Sequence, residues 1–120
     1  MKIDRWSGAK GRCNAVAHFG LVWTVSNALN QAASFEDQTR ETFDLLDKNL
    51  AKAGSAKTHV LSVQVMLADL ENKPAFDTLW EEWIGPNPDH WPQRACFQAG
   101  LTGGLLVELV AVAAQIEPSE

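Results

Sequence analysis

Two segments decide how this chain folds: Pro92-Gln93-Arg94-Ala95-Cys96-Phe97-Gln98-Ala99-Gly100 and, beyond a turn at Thr102-Gly103-Gly104, Leu105-Leu106-Val107-Glu108-Leu109-Val110-Ala111-Val112-Ala113-Ala114. Side chains along a strand alternate between faces. The first segment therefore sets Arg94, Cys96 and Gln98 on one face and Ala95, Phe97 and Ala99 on the other. The apolar set is expected to lie against a helix-covered core. The second segment is an almost unbroken apolar run, the pattern of a strand buried on both faces. Glu108 is its only ionisable residue, and a carboxylate there must be paired, hydrogen-bonded or protonated. With the two segments read as neighbouring antiparallel strands, Arg94 is the expected partner of Glu108. The pair fits a structural ion pair or a site built from a guanidinium and a carboxylate. An Arg on a solvated sheet face would explain Arg94 alone.

Working outward, Thr58–Ala68 is a β-branched apolar run whose period places His59, Leu61, Val63, Val65 and Leu67 on one face. Before it, Ser34 is read as the N-cap of a helix, with Glu36 and Asp37 at the positive end of the dipole. Phe35, Thr39, Phe43, Leu46, Leu50 and Ala53 share one face of that helix, and Gly54 stops it. After the run, Asn72 and Pro74 start a second helix, with Phe76, Leu79, Trp80 and Trp83 on one face and Gly85-Pro86 as its stop. The Trp80 and Trp83 rings are expected in the core or at a subunit contact. The following loop is stiffened by Pro86, Pro88 and Pro92. At the start of the chain, residues 13–19 alternate and 21–25 are β-rich, with Gly20 as the turn of a hairpin. Residues 3–7 are read as a short leading strand. The order β-β-β-α-β-α-β-β predicts an α+β sandwich: a mostly antiparallel sheet with two helices on one face. The other face must be covered by something else.

Composition limits the function. The 120 residues carry 10 Lys and Arg against 15 Asp and Glu, a net charge of −5, and fit one domain over 1–120. An acidic chain without a basic stripe is not built for nucleic acid. No stretch approaches the ~18 apolar residues of a membrane helix. With no secretion-type leader, Cys13 and Cys96 are expected as free thiols in the cytoplasm. His18, His59 and His90 have no ligand spacing, so no metal is expected. No glycine-rich phosphate loop and no GxSxG nucleophile motif occurs. There are five Trp and no Tyr.

The combination Pro92-x-Arg94-x-Cys96, followed by an apolar strand with Glu108 at its centre, resembles the RidA/YjgF family of reactive intermediate deaminases. Gly20 with the strand reaching Ser26, the Ala53-Gly54 helix end and the Val65–Leu70 segment support the resemblance, which spans nearly the whole chain. It implies a chorismate-mutase-like sandwich assembled as a homotrimer with clefts between subunits. It also implies cofactor-free hydrolysis of 2-imino and 2-enamino acids to 2-keto acids and ammonia. Arg94 would grip the substrate carboxylate, and Glu108 would handle water and protons. Cys96, Ser26, Asn27 and Cys13 would line the substrate site. The sequence departs from the archetypal deaminases where Cys13 replaces a Tyr, Asn27 a Gly and Asp77 an Asn. The alternative reading is a non-catalytic trimer that binds small carboxylate metabolites.

Overall fold

The computed structural model describes residues 2–117. Two left-handed residues make the first tight connection: Phe19 (φ 52) and Gly20 (φ 77) join β2 (Cys13–His18) to β3 (Leu21–Asn27). His18 pairs with Leu21, so this is a two-residue hairpin loop. A short strand, β1 (Asp4–Ser7), adds to the outer side of β2. Helix α1 (Phe35–Lys52) begins at Ser34, whose side chain accepts from the Asp37 amide, and ends at Gly54 (φ 79). There the Ser55 amide donates back to the Leu50 carbonyl at 2.8 Å, so the last turn's carbonyl is satisfied. All six residues expected on the inner face of α1 are buried.

Strand β4 (Val60–Leu67), helix α2 (Lys73–Ile84), strand β5 (Gln93–Gln98) and strand β6 (Val107–Ala114) complete the chain. The sheet order is β1-β2-β3-β6-β4-β5. Every pairing is antiparallel except β4 with β5, which is parallel. This corrects the hairpin expected for the last two strands. Strand β4 lies between them, and residues 99–106 carry the chain past its end. Buried Gln38 of α1 holds that connection: its Nε2 donates to the Gly104 carbonyl and its Oε1 accepts from the Leu106 amide, both at 3.0 Å. A second correction lies in β4, where Val60 pairs with Ala113 and Ser62 with Val112. Leu61 is thus the extra residue of a bulge and turns outward, while Val60 joins Val63, Val65 and Leu67 in the core.

Both helices cover one face. Phe43 of α1 stacks on Trp83 of α2 at 4.8 Å between centroids, and Phe76 and Trp80 complete the cluster. The Trp83 Nε1–H donates to Asp47 at 3.1 Å. Burial pushes the Asp47 carboxyl above its ordinary range, although the Trp83 bond and nearby Lys57 oppose this. Among the described residues, no helix lies on the opposite face of the sheet.

A bulky residue with positive φ stores strain of about 1 kcal/mol or more. The edge contact between Phe19 and His18, at 4.2 Å, offsets part of it. Phe19→Asn, which gives the Asn-Gly pair this turn prefers, is expected to raise stability by about 0.5–1 kcal/mol. The urea midpoint should rise with an unchanged slope.

Candidate functional site

The parallel pairing of β5 with β4 requires a crossover, and α2 supplies it. Arg94 and Cys96 point toward α2, whereas Ala95 and Phe97 lie on the uncovered face. The sequence-based assignment of these two faces is thus reversed. The reason is the edge position: a long guanidinium stem can lie along the flank of a helix there and still reach water. The Arg94 guanidinium sits over the faces of Phe76 and Trp80, at 5.6 and 5.2 Å from their centroids. Its Nη2 donates to Asp77 Oδ1 at 2.7 Å, and Lys73 Nζ binds Asp77 Oδ2 at 2.7 Å. Two cations share one carboxylate, so the cluster keeps one net positive charge. Burial alone would raise the Asp77 carboxyl. The bonds from Lys73 and Arg94 outweigh it and hold the carboxyl below its ordinary 3.8.

Cys96 is half-buried and packs against the core behind Arg94. Burial raises its thiol pKa above the ordinary value, and the nearby Arg94 and Lys73 only partly oppose this. The thiol stays protonated near neutral pH, which suits a wall rather than a nucleophile. Arg94 and Asp77 stand at the side of an open groove of about 720 Å³, whose walls include Trp80, Ile84, Pro86 and Trp91.

Glu108 is elsewhere. Its cross-strand partners are Asn27 on β3 and Met66 on β4, all on the uncovered face. Asn27 Nδ2 donates to Glu108 Oε1 at 2.8 Å, leaving Oε2 free for another partner. Arg94 pairs instead with Val63, which is buried beneath the helices. One chain therefore does not join Arg94 to Glu108, because β4 separates them and they face opposite ways. The expected ion pair is replaced by Arg94–Asp77 and Asn27–Glu108. Cys13, Asn27 and Glu108 share a second groove of about 860 Å³, together with Arg12 and Gln31. Ser26 belongs to neither groove. It is buried, and its Oγ donates to the Thr42 carbonyl of α1 at 2.6 Å. Its expected place in the substrate lining is corrected: the helix-side parity of β3 consumes its hydroxyl.

The role of Asp77 as Arg94's partner was not read from the sequence. The Lys73–Asp77 spacing of four on a helix was its available signal. Trp91 carries no sequence signal beyond its place in the proline-rich loop. Among the described residues, no group of three His, Cys, Asp or Glu is placed to hold a metal ion, and no helix is long and apolar enough to cross a membrane.

The model of the family described as Endoribonuclease L-PSP matches residues 3–115. The chain belongs to the RidA/YjgF family. A RutC family protein of Haemophilus ducreyi is 32% identical over 84% of this chain and 82% of its own length. One from Haemophilus influenzae is 39% identical over 64% of this chain and 66% of its own length. A YjgF family member from Neisseria meningitidis has the same fold, with a TM-score of 0.90 and 26% identity over 98% of both chains. In this chain Arg94 lines one groove and Glu108 another.

The low Asp77 pKa has a defined sign. A carboxyl depressed in the folded state adds stability above its unfolded pKa and loses it as pH falls through the folded value. Wild type should therefore exceed Asp77→Asn in stability by about 1 kcal/mol or less at neutral pH, since the pair is partly exposed. The gap should close below about pH 4, as read by urea titrations across pH.

Proposed function

We propose that this protein is a cofactor-independent deaminase that hydrolyses 2-imino acids, and the enamines that tautomerise to them, to 2-keto acids and ammonia. Family membership supports small-molecule processing in general. The observation that carries the finer reading is Arg94: a guanidinium fixed over two aromatic faces, in a cluster with net positive charge, beside an open groove. A fork of N–H donors fixes both the charge and the plane of a carboxylate.

The imine carbon is already electrophilic, so positioning and one placed water do most of the work. Glu108 Oε2 accepts a proton as the water oxygen bonds to carbon, and the C=N electron pair moves to nitrogen. That proton then passes to nitrogen to give the carbinolamine; its hydroxyl proton moves by way of Glu108 to the amino group as the C=O bond forms and the C–N bond breaks, and the keto acid and ammonia leave. Asn27 fixes the Glu108 carboxylate, and Cys13 and Cys96 serve as walls.

Arg94 and Glu108 face opposite ways in one chain, so a joint site needs two copies. The uncovered sheet face supplies a reason for assembly. Trp23, Val25 and Phe97 are 43%, 44% and 42% exposed there, beside Val110 and Val112, forming an apolar surface that calls for cover. A homotrimer with clefts between subunits meets both needs. In that assembly Arg94 comes from one subunit and Glu108 from the next.

One observation favours the second reading, a carboxylate-binding trimer without turnover: Asp77 already takes one Arg94 donor. Calorimetry showing keto-acid binding, with no rate above buffer on enzymatically generated imino acids, would select it.

Arg94→Ala is expected to lower kcat/KM about 10–100-fold, the loss of a charged hydrogen bond. Arg94→Ala and Glu108→Gln chains unfolded and refolded together should regain activity at about a quarter of sites, the statistical share for residues from two subunits. Activity no higher than that of the separate variants would defeat the intersubunit arrangement.

A further inference from the structure

The groove beside Arg94 contains more than a carboxylate grip. Its far wall is Trp91, which is 56% exposed yet held at two points. The indole Nε1–H donates to the Gly85 carbonyl at 2.9 Å, and the backbone amide donates to the Pro88 carbonyl at 3.2 Å. Pro86, Pro88 and Pro92 stiffen the segment, and Asn87 caps its 3₁₀ turn through the Asp89 amide. An exposed indole that is already immobilised loses little entropy when a ligand covers it. Pro86 adds a second exposed apolar surface, and the mostly buried Trp80 and Ile84 form the floor beneath. Within the groove, Arg94 is the single cation, while Asp77, Glu81 and Glu82 supply carboxylates.

From this arrangement we infer that the groove selects monocarboxylic 2-imino or 2-keto acids with a large apolar or aromatic side chain. The carboxylate lies on Arg94 and the side chain lies on the exposed indole of Trp91 and on Pro86. The inference rests on the carboxylate grip proposed above and names the substrate class for it. Three-carbon acids would fill the Arg94 end only. Dicarboxylic acids would bring a second negative charge among Glu81, Glu82 and Asp77, which is repulsive. Burying a phenyl ring against the Trp91 indole and the Pro86 ring is expected to add about tenfold in affinity.

Stable keto acids test this by calorimetry on the intact protein. Phenylpyruvate should bind about tenfold or more tightly than pyruvate, and 2-oxoglutarate no more tightly than pyruvate. Trp91→Ala should collapse the preference for phenylpyruvate, and Arg94→Ala should abolish binding of both monocarboxylates. Nuclear Overhauser contacts from the phenyl protons to the Trp91 indole of the wild-type protein would support the placement independently of any variant. Equal affinities that both vanish in Arg94→Ala would overturn the apolar subsite and leave the grip standing. Phenylpyruvate binding that survives Arg94→Ala would put the ligand elsewhere and overturn the inference. If no keto acid binds, the grip fails and the subsite falls with it.

Discussion

Strand β4 hydrogen-bonds antiparallel to β6 along one edge and parallel to β5 along the other. A parallel pair cannot be closed by a hairpin, so the chain must leave β4, cross a face of the sheet and return at the same end. Helix α2 is that crossing. Its position over one face puts Phe76, Asp77 and Trp80 above the edge strand, and it decides which side chains of β5 they meet. Register does the rest. Arg94 lies beside Val63 and turns toward the helix, while Glu108 lies beside Met66 and turns away. Shifting either register by one residue would exchange these faces. The separation of the two charged groups is therefore a consequence of strand pairing and needs no local strain.

The aromatic residues link this topology to electrostatics. Trp80 and Trp83 join Phe43 and Phe76 between the two helices, with Phe43 and Trp83 nearly coplanar at 6°. Such contacts add about 0.5–1.5 kcal/mol per pair beyond their buried area. They also fix the outer flank of α2, where Arg94 rests on ring faces. A guanidinium over two rings loses some water, and the Asp77 carboxylate replaces part of that solvation. The Trp83 indole requires an acceptor and finds Asp47, whose carboxyl pKa rises with burial. With no Tyr in the chain, indole and guanidinium N–H groups take over the donor work that phenols would share.

Much of the fold was legible because period and punctuation agreed. Ser34, the apolar face of α1 and Gly54 specify the helix from both ends. The Phe76, Leu79, Trp80 and Trp83 spacing specifies α2 equally well. Alternation alone could not fix which face of β5 is inside, because Arg94 packs on aromatic rings and Phe97 remains outward. Proximity in sequence made β5 and β6 look like neighbours. Nothing local to residues 99–106 announces that they pass the end of β4, because the decisive hydrogen bonds come from Gln38, more than sixty residues earlier. For the site, Arg94, Cys96 and Glu108 stood out as polar groups in apolar strands. Their mutual placement depends on long-range pairing and was not legible. Ser26 shows the same limit, since its hydroxyl is consumed by α1.

The charge immediately around Arg94 differs in sign from the −5 of the whole chain. Solvent screens distant exposed charges over about 8 Å at physiological ionic strength, so the local set dominates. At the guanidinium that set is Lys73, Asp77 and Arg94, with two positive charges and one negative, while Glu81 and Glu82 make the rest of the groove acidic. Asp77 orients the guanidinium and also competes for it. An incoming carboxylate must use the donors that Asp77 leaves free or displace one bond. An Asn at this position would keep an acceptor for Arg94 and drop the competing charge. Lys73 compensates for the aspartate by holding its second oxygen at 2.7 Å. The aspartate and the lysine thus act as one unit, and either one alone would leave the grip with a different charge.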